Sequence, residues 1–75
     1  MCTYFEYSNA SLGYCDKCKT YNSLNSALKA CCSNIECAGV TFSNAKTGSV
    51  WAYEIRITDT LVTSRLDETS YTKSA

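Results

Sequence analysis

Residues 24–42 read LNSALKACCSNIECAGVTF, and this segment decides the fold. In its first half, apolar side chains recur at three- and four-residue spacing, which is the pattern of one face of an α-helix. These side chains are Leu24, Leu28, Cys31, Cys32 and Ile35. The spacing predicts a helix from about Leu24 to Ser33, with Asn22 or Ser23 as its N-terminal cap. Asn34 is predicted to end the helix in the left-handed conformation.

A helix this short, with one apolar face, needs a sheet to lie on, and the sequence after it predicts that sheet. The segment Ala38–Phe42 alternates, which places Ala38, Val40 and Phe42 on one face. The turn-rich residues 44–48 lead to a second alternating stretch, residues 49–58. Its helix-facing side chains are predicted to be Trp51, Tyr53, Ile55 and Ile57, with Ala52, Glu54, Arg56 and Thr58 on the opposite face.

Three shorter segments complete the predicted sheet. The segment Thr3–Tyr7 is rich in aromatic residues and predicts a first strand, which residues 8–11 break. The segment Leu61–Ser64 predicts a weaker strand, and Ser70–Lys73 is predicted to close the sheet at an edge. The order of strand, helix and hairpins predicts one α+β domain over residues 1–75, with an antiparallel sheet of about four or five strands and one α-helix.

Six cysteines in 75 residues indicate an extracellular domain that disulfides stabilise. A chain of this length buries only a small core, and each bridge contributes about 2–4 kcal/mol. Cys31 ends the predicted helix and Cys37 precedes the next strand, so a bridge between them would pin the helix to the sheet. Cys32 points from another side of the helix, and we expect it to pair with Cys15 or Cys18. Cys2 would take the remaining cysteine, although the pairing of these four stays open.

Two other uses of the cysteines compete with disulfides. Cys15 and Cys18 have the spacing of a redox motif, but such a motif starts a helix inside a βαβ unit, and the helix here begins later. Structural zinc sites show regular pairs of ligands, often with histidine, and the chain has no histidine. We therefore expect disulfides, with no metal and no cofactor.

The composition argues against catalysis, nucleic-acid binding and membrane insertion. Without histidine the chain lacks the commonest general base, and its seven acidic residues form no acid/base pattern. Seven basic residues balance them without forming the basic stripe that nucleic acid requires. No apolar run approaches the roughly 20 residues of a transmembrane helix, and the first residues lack the profile of a signal peptide. We expect a protein that is not an enzyme.

Aromatic side chains and one sequon are the remaining candidates for a site. Tyrosine and tryptophan suit interfaces and sugar faces because they combine apolar area with a polar group. The candidate ligand contacts are Trp51, Tyr53, Tyr4 and Tyr7. The alternative, which we favour for Phe5, Phe42 and Trp51, is that these residues fill the core. Asn9 begins Asn-Ala-Ser, the only N-glycosylation sequon in the chain, and is a candidate for glycosylation.

Three features follow one another in residues 24–56. A helix ends in the pair Cys31-Cys32, a single cysteine at Cys37 leads into a strand, and an aromatic strand follows over residues 51–56. In this arrangement the chain resembles the PAN/apple family, and residues 69–73 resemble the closing strand of many such domains. The resemblance implies a twisted antiparallel sheet that cradles one helix, with a bridge from Cys31 to Cys37. The resemblance implies no ligand site for this chain. Because the chain has no cysteine after Cys37, a bridge between its termini is impossible.

Members of that family are extracellular modules that bind proteins or carbohydrates, often in adhesive proteins. We therefore expect a secreted module for binding and adhesion, whose partner is a glycan or an extracellular protein. The alternative is a structural subunit that associates with copies of itself in an extracellular filament or matrix. A net charge of zero and a surface rich in hydroxyl groups do little to prevent such association.

Overall fold

The fold is known from a computed structural model, which describes residues 2–13, 19–43, 52–58, 60–63 and 68–74. The elements are, in chain order, β1 (Thr3–Ser8), β2 (Ala10–Leu12), β3 (Thr20–Tyr21), α1 (Leu24–Ser33), β4 (Gly39–Ser43), β5 (Ala52–Arg56), β6 (Leu61–Thr63) and β7 (Thr69–Ser74). Five strands form an antiparallel sheet in the order β1-β7-β4-β5-β3, and β2 pairs with β6 in a separate ribbon. This part of the chain is therefore an α+β structure with one helix on an antiparallel sheet, as the sequence predicts.

The helix α1 begins as the sequence predicts and ends differently. The hydroxyl of Ser23 accepts a hydrogen bond from the Ser26 N–H at 3.2 Å, which caps the first turn. At the other end, Asn34 is extended, with φ −108° and ψ 111°, so the prediction of a left-handed terminator is wrong. A left-handed residue is unnecessary here because the Asn34 N–H itself donates to the Cys31 carbonyl at 3.2 Å, and Lys73 adds a second donor to the same oxygen.

The strand assignments differ from the prediction in several places. Strand β3 was not predicted, and the strand predicted at 61–64 pairs with β2 in the ribbon instead of joining the sheet. Residues 10–12 form β2 rather than a break, because the chain turns at Asn9 and crosses the face of the sheet as a strand that pairs with β6. Strand β7 lies inside the sheet, between β1 and β4, so the predicted edge position of Ser70–Lys73 is wrong. Alternation along one strand does not say which strands lie beside it, and here β1 takes the edge. The predicted connection at residues 44–48 lies outside the described residues.

The helix covers one face of the sheet and forms the apolar core. Val40 of β4 and Ile55 of β5 are cross-strand partners and pack on Ala27, Cys31 and Cys37. The partly buried side chains around this cluster are Tyr4, Tyr21, Leu28, Tyr53 and Tyr71. Two residues of the predicted apolar stripes lie outside the core: Ile35 is 97% exposed, beyond the helix, and Ile57 is 53% exposed, beyond β5.

Two disulfides hold the C-terminal end of α1. One joins Cys31 to Cys37, the pair that the sequence analysis favours, and the other joins Cys2 to Cys32. The second bridge corrects the expectation that Cys32 pairs with Cys15 or Cys18, which lie outside the described residues. The helix end lies over β1 and β7, and that position brings the cysteine at the start of β1 within reach of Cys32.

Two polar side chains fasten the same helix end to the sheet. Tyr4 and Lys73 are cross-strand partners on β1 and β7. The Tyr4 hydroxyl donates to the Leu28 carbonyl at 2.7 Å. The Lys73 ammonium donates to the carbonyl oxygens of Cys31 and Asn34, at 2.9 Å and 3.0 Å. A positive charge at this position also complements the helix dipole.

Replacing Lys73→Met keeps the length of the side chain and removes both hydrogen bonds. We expect a loss of about 2 kcal/mol in the free energy of unfolding, because both bonds carry a charge that lies at the negative end of the helix dipole. Lys29→Met, on the exposed side of the helix, is the matched control and should change stability by less than about 0.5 kcal/mol. Guanidinium unfolding of the disulfide-bonded proteins measures both, and equal losses would contradict this role for Lys73.

The opposite face of the sheet is buried under β2 by polar rather than apolar contacts. The Leu12 N–H donates to the Thr41 hydroxyl at 3.1 Å, and the hydroxyls of Thr41 and Ser70 lie 2.8 Å apart. Ser70 donates its single proton to the Ala10 carbonyl at 2.8 Å, so the proton between the two hydroxyls comes from Thr41. This chain of hydrogen bonds begins and ends on the main chain of β2 and passes through two fully buried side chains.

A buried ion pair secures the C-terminal end of β2 in the same way. Arg56 lies 2.7 Å from the Glu54 carboxylate, with both side chains at most one-tenth exposed. Its guanidinium also donates to the carbonyls of Leu12 and Gly13, at 2.8 Å and 3.3 Å. The Leu12 side chain lies against Gly39, where a Cβ would stand 2.6 Å from its Cδ1. The polar face of β5 is therefore an interior surface.

The variant Thr41→Val tests this polar layer, because valine has the shape of threonine without the hydroxyl. The Leu12 N–H and the Ser70 hydroxyl would each lose a buried partner, and we expect a cost of about 1–3 kcal/mol. Thr3→Val, on the exposed side of β1, is the same substitution at the surface. It should lower the free energy of unfolding by less than about 0.5 kcal/mol. If thermal unfolding shows the same loss of stability in both variants, the chain of hydroxyl groups does not hold β2 in place.

Candidate binding surface on strand β1

The structure separates the aromatic residues that the sequence proposes as ligand contacts. Tyr4 lies between sheet and helix with its hydroxyl on Leu28, and Tyr53 packs beside the core, its ring centroid 4.5 Å from that of Phe42. Both side chains are partly buried by these contacts with the interior, which do not depend on a ligand. Trp51 lies outside the described residues. Tyr7 is 41% exposed and stays a candidate.

Phe5 is the exposed aromatic residue that sequence reasoning missed. It was expected in the core, yet it is 54% exposed. Along β1 the even-numbered residues face the helix, since Tyr4 reaches Leu28 and Glu6 reaches Tyr71. Phe5 and Tyr7 therefore share the other face of the strand, about 7 Å apart along it. The sequence of β1 holds no local signal for this, since only the bridge from Cys2 to Cys32 places Tyr4, and not Phe5, on the helix side.

Strand β1 is also an edge of the sheet. Within the described residues it pairs with β7 along one side, over all positions from Thr3 to Ser8, and with no strand along the other. In an antiparallel sheet alternate residues turn their N–H and C=O groups toward the same neighbour, so about three residues of an edge strand direct these groups outward. The exposed rings of Phe5 and Tyr7 together with this outer main-chain edge of Thr3–Ser8 are called the β1 surface below.

The charge at this surface is small. Glu6 is the only charged residue of β1, and its carboxylate accepts a hydrogen bond from the Tyr71 hydroxyl at 3.5 Å on the helix side. Burial raises the pKa of Tyr71 above the ordinary value of a tyrosine, and the nearby Glu6 carboxylate raises it further. Burial alone raises the pKa of Tyr4. Both phenols are therefore neutral hydrogen-bond donors at physiological pH, and the surface offers apolar rings and main-chain groups.

The two raised pKa values predict a loss of stability in alkali. The folded protein holds each phenol proton more tightly than the unfolded chain does. The resulting stability is complete below about pH 10 and is lost as the pH rises through the folded-state pKa values. We expect urea midpoints to be level between about pH 7 and 9 and to fall above about pH 10. The double variant Tyr4→Phe/Tyr71→Phe should fall less steeply, and an unchanged slope would contradict the assignment.

Neither a metal site nor a membrane span is found in the described residues. No group of three histidine, cysteine, aspartate or glutamate side chains among them could hold a metal ion. No helix among them is long and apolar enough to cross a membrane. The four cysteines in this part of the chain are all joined in disulfides.

Comparisons with protein-family models, curated proteins and solved structures found no match for this chain. The class of the protein therefore follows from its own fold. The described residues form a small α+β structure with disulfides, in which one helix lies on a five-stranded antiparallel sheet. The most exposed aromatic surface of that structure is the β1 surface.

Proposed function

We propose that the chain is an extracellular binding and adhesion module of the PAN/apple-like type, and that its partner is a protein. The partner would add an extended segment to the sheet along β1. The observation that carries the proposal is the β1 surface, where an outer main-chain edge and two exposed aromatic rings coincide on one strand. The Cys31–Cys37 bridge between helix and sheet supports the PAN/apple-like reading.

The disulfides support the extracellular location. Bridges persist in oxidising compartments and are rare in the cytosol, where thiols are kept reduced. Here Cys2–Cys32 and Cys31–Cys37 fix the end of the only helix in the described residues, so the fold depends on them. A protein that needs these two links would be unstable in a reducing compartment.

Strand addition uses both parts of the β1 surface. Main-chain hydrogen bonds to the outer edge supply affinity without regard to the partner's side chains. Specificity would come from Phe5 and Tyr7, which lie beside alternate residues of an added strand, where aromatic and β-branched side chains pack well. A glycan could use the two rings and bond to single main-chain groups, but only an extended peptide matches the regular spacing of the whole edge, and for this reason we favour a protein partner over a carbohydrate.

A second candidate, the self-associating structural subunit, is favoured by the same edge. Proteins commonly protect an edge strand with lysine or proline, and β1 has neither. Two copies could pair β1 with β1 about a two-fold axis at Phe5. In that register Phe5 lies opposite its own copy, and Glu6 lies opposite Tyr4 rather than opposite another carboxylate. No like charges would then meet.

The variant Phe5→Lys tests the β1 surface, because it removes the more exposed ring and places a charge on the edge. The matched control is Val62→Lys on β6, since Val62 and Phe5 are exposed to nearly the same degree, 53% and 54%. Peptides selected from a displayed random library should lose at least about tenfold in affinity with Phe5→Lys and little with Val62→Lys. Calorimetric titration of the disulfide-bonded proteins measures both.

Two parallel measurements identify the other outcomes. A mass in light scattering that rises with concentration, and falls to the monomer in Phe5→Lys alone, would favour the structural subunit. Binding on a glycan array, with no peptide selected, would favour a carbohydrate ligand. If Phe5→Lys and Val62→Lys behave alike in every assay, the β1 surface is not the binding site.

A further inference from the structure

Asn9 lies in the turn that joins β1 to β2, and the turn displays its side chain. Its φ is 55°, the left-handed conformation that asparagine tolerates better than most residues. The residue is exposed, and no hydrogen bond in the described part of the chain engages its carboxamide. The third residue of the sequon, Ser11, follows in β2 opposite Val62. The turn at Asn9 thus displays the sequon at the surface.

An exposed aromatic ring lies shortly before the sequon in the chain. Tyr7 lies two residues before Asn9, at most about 7 Å along the chain, and is 41% exposed. Pyranose sugars have an apolar face of polarised C–H groups, which favours the electron-rich face of an aromatic ring. The short separation along the chain puts a sugar attached to the Asn9 amide within reach of the Tyr7 ring.

We propose that Asn9 is an N-glycosylation site whose first N-acetylglucosamine rests on the ring of Tyr7. The donor is a membrane oligosaccharide linked through a polyprenyl diphosphate, as the secretory route supplies. The Asn9 Nδ2 forms a bond to C1 of the first sugar, and the bond from C1 to the diphosphate oxygen breaks. The amide loses one proton and the polyprenyl diphosphate leaves with the bonding electron pair. No oxidant or reductant takes part.

This inference shares the secretory route and the ring of Tyr7 with the proposed function. A glycan at Asn9 would cover the Ser8 end of β1 and the ring of Tyr7. It would leave Phe5 and the Thr3 end of the strand open to a partner. The two proposals can therefore fail separately, provided that the experiment itself supplies the route.

Secretion of the full chain from eukaryotic cells behind a heterologous signal peptide tests the modification. Ser11→Thr keeps the sequon. Ser11→Val destroys it, although the valine side chain has nearly the shape of threonine. We expect one glycan, removable by peptide N-glycosidase, on the wild type and on Ser11→Thr, and none on Ser11→Val. A third variant, Asn9→Asp, keeps a residue that tolerates the left-handed turn and should also be unmodified. A secreted wild type and Ser11→Thr with unmodified intact mass would overturn the site and leave the β1 partner untouched.

The contact with Tyr7 has its own test. Trimming the glycan with an endoglycosidase leaves one N-acetylglucosamine, and unfolding in guanidinium can be compared with that of the unmodified Ser11→Val protein. We expect the single sugar to raise the ratio of folded to unfolded protein by about threefold to tenfold in a Tyr7→Phe background, which keeps the ring. In Tyr7→Thr, which keeps a strand-forming residue without the ring, the gain should vanish. An equal gain in both backgrounds would overturn the contact.

Discussion

The C-terminal end of α1 is the point on which the rest of the structure depends. Two bridges, one hydroxyl and one ammonium meet within its last turns and tie it to three strands. The Cys31–Cys37 bridge closes a short loop, with a sequence separation of 6, whereas the separation for Cys2–Cys32 is 30. On the loop-entropy argument the longer loop restricts the unfolded chain by about 1 kcal/mol more. It also fixes where β1 starts, and hence which of its faces is inside.

The polar layer on the other face explains how so small a chain covers both sides of its sheet. A second apolar layer would need more hydrophobic residues than the ribbon of β2 and β6 can supply. Instead, Thr41, Ser70 and Arg56 bind the main-chain groups of β2, which would otherwise be buried without partners. A buried network of this kind contributes little net stability, but it accepts only one register of the ribbon. The apolar core supplies stability, and the polar layer fixes the position of the ribbon on the sheet.

Sequence reasoning succeeded where the information is local. The helix bounds Leu24–Ser33 follow from side-chain periodicity and a capping serine, and both depend on residues within one or two turns. It failed where the answer depends on distant segments, as in the pairing of Cys32 and the interior position of β7. Strand β1 shows the difficulty most clearly, because both of its faces carry aromatic residues. Only the distant bridge from Cys2 to the helix decides which face is buried, and with it the candidate site.

The exposure of Phe5 has no explanation in the stability of the domain alone. Burying a phenylalanine side chain is worth about 1.5–3 kcal/mol, and this one lies on a strand whose other face is fastened to the helix. The helix side of β1 is already occupied by Tyr4, so Phe5 can gain burial only from something outside the described fold. An unprotected edge strand is also a hazard, because it offers its main-chain groups to any extended chain. The proposed partner at the Phe5 end and the proposed glycan at the Asn9 end would each cover a part of this strand that the described fold leaves exposed.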